Sequence, residues 1–280
     1  MRIAAAAILL IAGTAAAQST LDKTYNVSGK PALQVEVDDA SVRARNCGTC
    51  RAVSIRVDYK GQNPNDWTVI EMQGGNGIHF ALKHKQQVRM FSGWHGRSPE
   101  ITVVTPTETD LSLRSGDGAL AITGLRGNLD AHTGDGAIQA DDVAGALRFT
   151  TGDGAVGLRR AEGTLYATTG DGGMNIEGRF SQFEARSGDG AINLRLMPGS
   201  VLNASSSVLT GDGSVTINLP NDLRAEVDAS TGDGRIASTL PFFTNTQARS
   251  GRSHIHGSMN GGGPTLRIHT GDGSIALTGN

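Results

Sequence analysis

The most regular feature of the chain is an alternation of apolar and polar residues that recurs about every 18 residues from position 115 onward. Each unit opens with Ser/Thr-Gly-Asp-Gly, and units begin at positions 115, 133, 151, 169, 187, 210, 231 and 270, with a degenerate copy at 250. The first four units are 18 residues long, and the period then loosens. A fixed period of this kind is typical of a solenoid, in which each repeat stacks on the next.

Two apolar columns run through these units. Because alternate side chains of a strand lie on one face, apolar residues at positions six and eight of a unit predict one strand with a buried face. A second apolar pair at positions fifteen and seventeen predicts another strand, and a glycine at position thirteen marks a bend between them. The residues at position six are Leu120, Ile138, Val156, Met174, Ile192, Val215, Ile236, Ile255 and Ile275. Position eight is also mostly apolar, but it weakens at Ser238 and Gly257.

Residues 18–110 lack the repeat but alternate as strands do, for example at 33–37, 53–57 and 101–104. We therefore predict an all-β chain, with a β-rich capping region over 18–110 and a β-solenoid over 111–280. Parallel crossovers favour right-handed winding, so the expected solenoid is a right-handed parallel β-helix of about nine coils. The cross-section stays open between two-sided and triangular, because position eleven could line a third wall.

The last repeat ends at Asn280 without residues that could cap it. This arrangement predicts an exposed strand edge at the C-terminus, which could pair with a second copy of the chain or with a partner strand. The alternative is that a short edge flanked by glycine stays solvated.

The N-terminus has the features of a signal peptide over residues 1–17. Arg2 is followed by an apolar stretch over 4–11 and by the small residues Ala15 to Ala17. The apolar stretch is shorter than the roughly 20 residues that a spanning helix needs. We therefore expect a periplasmic, secreted or cell-surface protein without a membrane span after signal removal. The alternative is an ordinary buried N-terminal segment.

Charge and composition narrow the possible partners. The formal charge of −2 provides no basic stripe, which argues against nucleic-acid binding. Aromatic residues make up only 4% of the chain while glycine occurs 39 times, a balance that suits a thin, repetitive core.

The aspartate of each repeat has two interpretations. It could accept hydrogen bonds from the turn backbone, or the stacked carboxylates could form a ladder that binds cations. Calcium requires six to eight oxygen ligands, and one carboxylate per coil supplies few of them. We expect weak calcium binding at most and no cofactor. The ladder would comprise Asp117, Asp135, Asp153, Asp171, Asp189, Asp212, Asp233 and Asp272.

Cys47 and Cys50 form the only Cys-x-x-Cys motif. Alternating strands flank it on both sides, whereas a redox dithiol of thioredoxin type precedes a helix. In an oxidising compartment the pair is expected to form a disulfide at a hairpin tip. The alternatives are a redox-active pair and a free or metal-bound pair.

Other polar groups predict no catalytic or metal site. His254, His256 and His269 could converge on zinc, but their spacing favours solvated side chains. The irregular coils contain a dense polar patch that resembles a surface loop more than a catalytic pair, formed by Asn221, Asp222, Arg224, Glu226 and Asp228.

Units such as residues 147–154, Leu-Arg-Phe-Thr-Thr-Gly-Asp-Gly, preceded by a block of alternating strands, resemble the bacterial putative-adhesin family with β-strand repeats, a domain of unknown function. The resemblance covers nearly all of the chain after residue 17. It implies a right-handed β-helical stack and a role in the cell envelope. The expected function is a scaffold or adhesion module that binds a glycan or an envelope protein. The alternative is a glycan-acting lyase or glycosidase of β-helix type.

Overall fold

The structure is a computed structural model that describes residues 20–85, 98–240 and 253–279. The described residues form β-strands and one 3₁₀ helix, so the all-β prediction is confirmed. The predicted signal peptide and residues 250–252 of the degenerate repeat lie outside this part of the chain. The elements are β1 (Thr20–Asn26), β2 (Ala32–Val37), β3 (Ser41–Asn46), β4 (Ala52–Asp58), the 3₁₀ helix (Pro64–Asp66), β5 (Trp67–Gly74), β6 (Gly77–His84), β7 (Glu100–Thr105), β8 (Asp110–Arg114), β9 (Leu120–Thr123), β10 (Arg126–Thr133), β11 (Ile138–Asp141), β12 (Ala144–Thr151), β13 (Val156–Thr169), β14 (Met174–Ser187), β15 (Ile192–Leu196), β16 (Ser206–Thr210), β17 (Val215–Leu219), β18 (Ala225–Thr231), β19 (Ile236–Ser238), β20 (His254–Met259), β21 (Thr265–Thr270) and β22 (Ile275–Gly279).

The strands pair into two long ladders, which we call wall one and wall two. Wall one runs in space through β1, β4, β7, β3, β9, β11, the first part of β13, the first part of β14, β15, β17, β22 and β19. Wall two runs through β5, β6, β2, β8, β10, β12, the rest of β13, the rest of β14, β16, β21, β18 and β20. The central pairs are parallel, and antiparallel pairs occur towards the ends.

The predicted apolar columns line up between the walls. Ile138 pairs with Val156, which pairs with Met174, and all three are buried. In wall two, Leu147 lies between Leu129 and Leu165 in the same way. Each repeat thus covers the apolar side chains of its neighbours. Position eleven is buried as well, at Leu125, Val143 and Ala161.

The degenerate repeat does not join the first column. Strand β20 runs antiparallel to β18 in wall two, which places Ile255 opposite Ala229 and Gly257 opposite Val227. Its predicted position beside the other isoleucines is therefore wrong. Alternation along a strand indicates which side chains face inward, but it does not indicate the neighbouring strand or its direction.

The order of strands in space differs from their order in the sequence at both ends. The last strand, β22, lies between β17 and β19, and β21 lies between β16 and β18. Strand β2 is likewise inserted between β6 and β8, and β3 is inserted between β7 and β9. The prediction of an open edge at the C-terminal strand is therefore wrong, because both sides of β22 are paired.

The Ser/Thr-Gly-Asp-Gly turns stack directly on one another. The buried Thr151 hydroxyl bonds to the carbonyls of Gly136, at 2.9 Å, and Gly134, at 3.1 Å, in the preceding turn. The amide of Gly152 also donates to the carbonyl of Gly134. A Cβ on Gly154 would lie 2.0 Å from the Gly136 carbonyl oxygen, so this contact requires glycine. The repeat signature is therefore what lets successive turns approach closely.

Glycine at position thirteen has the same role at the opposite corner. Gly145 adopts a φ of 124°, and a Cβ there would lie 2.1 Å from the carbonyl oxygen of Gly127. Only glycine combines this backbone conformation with so close an approach between coils.

Candidate functional site

The repeat aspartates lie on an exposed ridge along one corner of the stack. None of the eight side chains accepts a hydrogen bond from another described residue. The Ser/Thr hydroxyl accepts the hydrogen bond of the turn amide instead. For example, Gly190 N donates to Ser187 Oγ at 3.0 Å. Hydrogen bonding by aspartate is therefore not what stabilises the turn. Within 20–85, 98–240 and 253–279, no group of three or more His, Cys, Asp or Glu side chains could hold a metal ion.

Cys47 and Cys50 are joined by a disulfide bond in the loop between β3 and β4. The predicted hairpin is wrong, because β3 and β4 do not pair with each other and β7 lies between them. The loop crosses the end of β7, where the amide of Thr107 donates to the carbonyl of Gly48 at 3.1 Å. The disulfide therefore lies in a connection that passes over β7, and β7 begins 50 residues after Cys50.

The three candidate histidines lie on the outer side of wall two but make separate contacts. His254 Nδ1 lies 3.9 Å from Asp228, and His256 Nε2 lies 4.0 Å from Glu226. His269 Nδ1 shares a 3.0 Å hydrogen bond with Ser230. Two acids of the polar patch at 221–228, Glu226 and Asp228, thus lie beside β20, each near a different histidine.

Wall one presents small and amide side chains on its outer face. Gln139, Asn175 and Asn193 follow one another on successive strands, with Gly157 between the first two. Gln139 extends over Gly157, since a Cβ on that glycine would lie 2.2 Å from the Gln139 side-chain oxygen. This face has hydrogen-bonding groups but no aromatic side chain along that row.

Wall two presents a more varied outer face. Asp130, Arg148, Tyr166 and Glu184 stand on four consecutive strands and share one row. The Arg148 guanidinium lies 4.3 Å from the centre of the Tyr166 ring, a cation–π contact that orders both side chains. The row occupies position sixteen of the repeat, between the two buried positions. These four residues were not predicted as site residues. The signal for them in the sequence is that position sixteen varies in chemistry while positions fifteen and seventeen stay apolar.

The carboxylates on this face have cationic neighbours. Asp130 lies 3.3 Å from Arg114, and Glu184 lies 2.7 Å from Arg186. Asp110 bonds to Lys30 at 2.6 Å and accepts the amide of Asn128 at 2.8 Å. Burial by itself would raise the pKa of Asp110, but these two hydrogen bonds and the Lys30 charge outweigh it, so the pKa lies below its ordinary value. Asp110 is therefore held as a charged acceptor.

No helix in the described ranges is both long and apolar enough to cross a membrane. The Toastrack DUF4097 family profile matches residues 31–278, nearly the whole described stack. The chain belongs to the Toastrack DUF4097 family. This family assignment covers both walls and includes the N-terminal strands from β2 onward. The assignment implies no particular activity, because DUF4097 is a domain of unknown function.

No curated protein matches the chain. Solved structures that resemble it include a putative cell adhesion protein from Clostridium sporogenes, with 10% identity, a TM-score of 0.28 and coverage of 93% of this chain and 100% of that one. A putative adhesin from Bacteroides fragilis has 11% identity, a TM-score of 0.44 and coverage of 94% and 98%. One from Parabacteroides merdae has 11% identity, a TM-score of 0.41 and coverage of 93% and 96%.

Proposed function

We propose that this Toastrack DUF4097 protein is an exported, non-catalytic binding module of the cell envelope, periplasmic or on the cell surface. It acts as a scaffold or adhesion module and binds a glycan or an envelope protein through its outer walls. In this proposal the stack is a right-handed solenoid of about nine coils, the handedness that parallel crossovers favour. The N-terminal strands cap it at one end.

The observation that carries the proposal is the contrast between the inside and the outside of the stack. Inward side chains of the described residues are mostly apolar and buried along both columns, and they form one continuous core cluster. Outward side chains form rows of exposed polar groups at the regular spacing of neighbouring strands, about 4.8 Å. Regular rows of donors and acceptors suit recognition of a repetitive or extended partner.

The chemistry of wall two supports binding rather than cleavage. A glycosidase needs one carboxylic acid with a raised pKa to protonate the leaving group. The pKa of Asp110 is lowered instead, and Asp130 and Glu184 each lie beside an arginine. These two stand three strand spacings apart, about 14 Å, which is more than the 5–9.5 Å that separates glycosidase carboxylates.

Two measurements test the proposal. Cell fractionation with N-terminal sequencing of the mature protein should find it outside the cytoplasm, with a start near Gln18. The purified mature protein should bind immobilised envelope glycans or a defined envelope protein without changing them, as judged by product analysis after long incubation. Cytoplasmic retention of the intact chain, or release of shortened sugar products, would contradict the proposal.

A further inference from the structure

Two depressions on the outer face of wall two join into one groove. One is lined by residues of β10, β12, β13, β14 and β16, and the other by residues of β2, β5, β6, β8 and β10. They share the lining residues Asn128 and Asp130, so the two depressions adjoin on β10. From β6 to β16 the groove crosses eight strands, and seven spacings of about 4.8 Å give a length of roughly 34 Å. A groove of this length along the stack axis fits an extended chain.

Short side chains make the floor of this groove. Asn128, Ala146, Thr164 and Gln182 stand on consecutive strands beside the row of Asp130, Arg148, Tyr166 and Glu184. Ala146 and Thr164 leave a trough next to the larger Arg148 and Tyr166. The end of the groove at β6 is more apolar. Met72 is 62% exposed there and lies beside the β6 residues of the groove.

The carboxylates along the groove are already paired with cationic side chains. Asp110, Asp130 and Glu184 lie against Lys30, Arg114 and Arg186 respectively. Arg148 lies over the Tyr166 ring rather than standing alone. A strongly charged ligand would have to compete with these contacts and would meet both signs of charge. Charge complementarity therefore favours an uncharged ligand.

The groove also distinguishes a saccharide from a peptide. A peptide gains affinity from main-chain hydrogen bonds when it adds to the open edge of a sheet. Here the ligand would lie across the strands, whose amides and carbonyls already bond to one another. Only side chains are available, and these include amide, hydroxyl, carboxylate, imidazole, guanidinium and aromatic groups. Such groups bind the hydroxyls and the apolar faces of sugar rings.

We infer that the groove along the outer face of wall two, centred on Ala146, Arg148 and Tyr166, binds a linear, uncharged polysaccharide. The inference rests on the proposed function and gives its binding surface and ligand class. The sugar chain lies along the stack axis, and successive strands contact successive parts of it. Affinity therefore increases with the length of the oligosaccharide until the groove is filled.

The test is native affinity electrophoresis of the purified mature protein in gels that contain a linear neutral polysaccharide (pullulan, amylose or unbranched β-mannan) or anionic alginate. At least one neutral polymer should retard the protein, and alginate should not. Ala146→Trp, which fills the trough, should abolish the retardation. Tyr166→Ala should lower the affinity for the polysaccharide about tenfold, the effect of losing one ordered aromatic contact.

Ala121→Trp provides the matched control, because Ala121 also points outward but from wall one. It should bind the polymer as the unmodified protein does, and the melting temperature of each variant verifies folding. If Ala121→Trp abolishes binding while Ala146→Trp retains it, the groove inference is overturned and the proposed function stands. Stronger binding to alginate, or no binding to any neutral polymer, also overturns the inference. In the latter case, binding to a defined envelope protein would still support the proposed function.

Discussion

Asn218 donates a hydrogen bond of 3.0 Å to the hydroxyl of Thr278, although 60 residues separate the two along the chain. The bond joins β17 to β22, the last strand, which is inserted into the stack beneath β19. Because of this insertion the C-terminal strand belongs to the packed interior of wall one. The edge of that wall is formed by the three residues of β19.

This insertion predicts unequal roles for two isoleucines of the same column. Ile275 on β22 is buried, whereas Ile236 on β19 is only partly buried. Ile275→Ala should lower the free energy of unfolding by about 3–4 kcal/mol, in the range of a well-packed core site, and Ile236→Ala by about 1–2 kcal/mol. Urea unfolding followed by circular dichroism measures both. If the two substitutions lowered the free energy of unfolding equally, or if Ile236→Ala lowered it more, β22 would be at the edge of the wall.

The hydroxyl ladder predicts that a buried threonine stabilises the turn more than the aspartate does. Thr151→Val keeps the shape of the side chain but leaves the carbonyl of Gly136 without its hydroxyl partner, so the free energy of unfolding should fall by about 1–3 kcal/mol. Thr151→Ser should recover most of this loss. Thr150→Val, on the outer face of the same strand, serves as control and should change stability by less than about 0.5 kcal/mol.

Close approach between turns predicts a difference between two glycines of one repeat. A Cβ on Gly154 meets a backbone carbonyl, whereas a Cβ on Gly157 meets only the flexible end of Gln139. Gly154→Ala should therefore lower the melting temperature by many degrees or prevent folding, because the turns would have to separate. Gly157→Ala should fold with little change, since Gln139 can move aside. Differential scanning fluorimetry distinguishes the two, and similar melting temperatures would contradict the stacking described above.

The exposed aspartate ridge predicts insensitivity to calcium. Asp135→Asn removes one of the stacked carboxylates, and the free energy of unfolding should change by no more than about 0.5 kcal/mol, as for other surface substitutions. The melting temperature of the unmodified protein should be the same with and without millimolar calcium. A calcium-dependent rise that disappears in Asp135→Asn would revive the cation ladder.

A buried tyrosine predicts how stability changes at high pH. The Tyr25 hydroxyl donates to Glu71 Oε2 at 2.6 Å, and Lys23 bonds to the other carboxylate oxygen. Burial, the hydrogen bond to Glu71 and its negative charge raise the pKa of Tyr25 above its ordinary value of 10. The neutral tyrosine is therefore favoured in the folded state, so its stabilisation is complete below pH 10 and declines as the pH rises further.

Tyr25→Phe should lower the free energy of unfolding by about 1–2 kcal/mol at pH 7, and the difference from the unmodified protein should shrink above pH 10. Tyr59→Phe is the control at pH 7, because burial alone raises the pKa of Tyr59 and its hydroxyl makes no hydrogen bond to a described residue. Equilibrium unfolding in urea across pH 7–11 measures both variants. A constant difference at every pH would refute the role of Tyr25 ionisation.

The repeat unit, the inward-facing columns and the need for glycine at both corners follow from the amino-acid sequence alone. Alternation within a strand sets which side chains face inward, and the 18-residue period places Ile138, Val156 and Met174 side by side. These are properties of neighbouring repeats, and neighbours in sequence are neighbours in space through the middle of the stack.

The arrangement of the two ends and the position of the groove follow instead from how the strands pair in three dimensions. Strands β2–β3 and β21–β22 are inserted between rungs that lie far from them in the sequence, and β20 runs antiparallel to β18. Repeats with similar edges can pair in more than one order, so alternation alone does not distinguish those orders. The groove likewise depends on which exposed side chains stand side by side, because Arg148 meets Tyr166 only when their strands are adjacent.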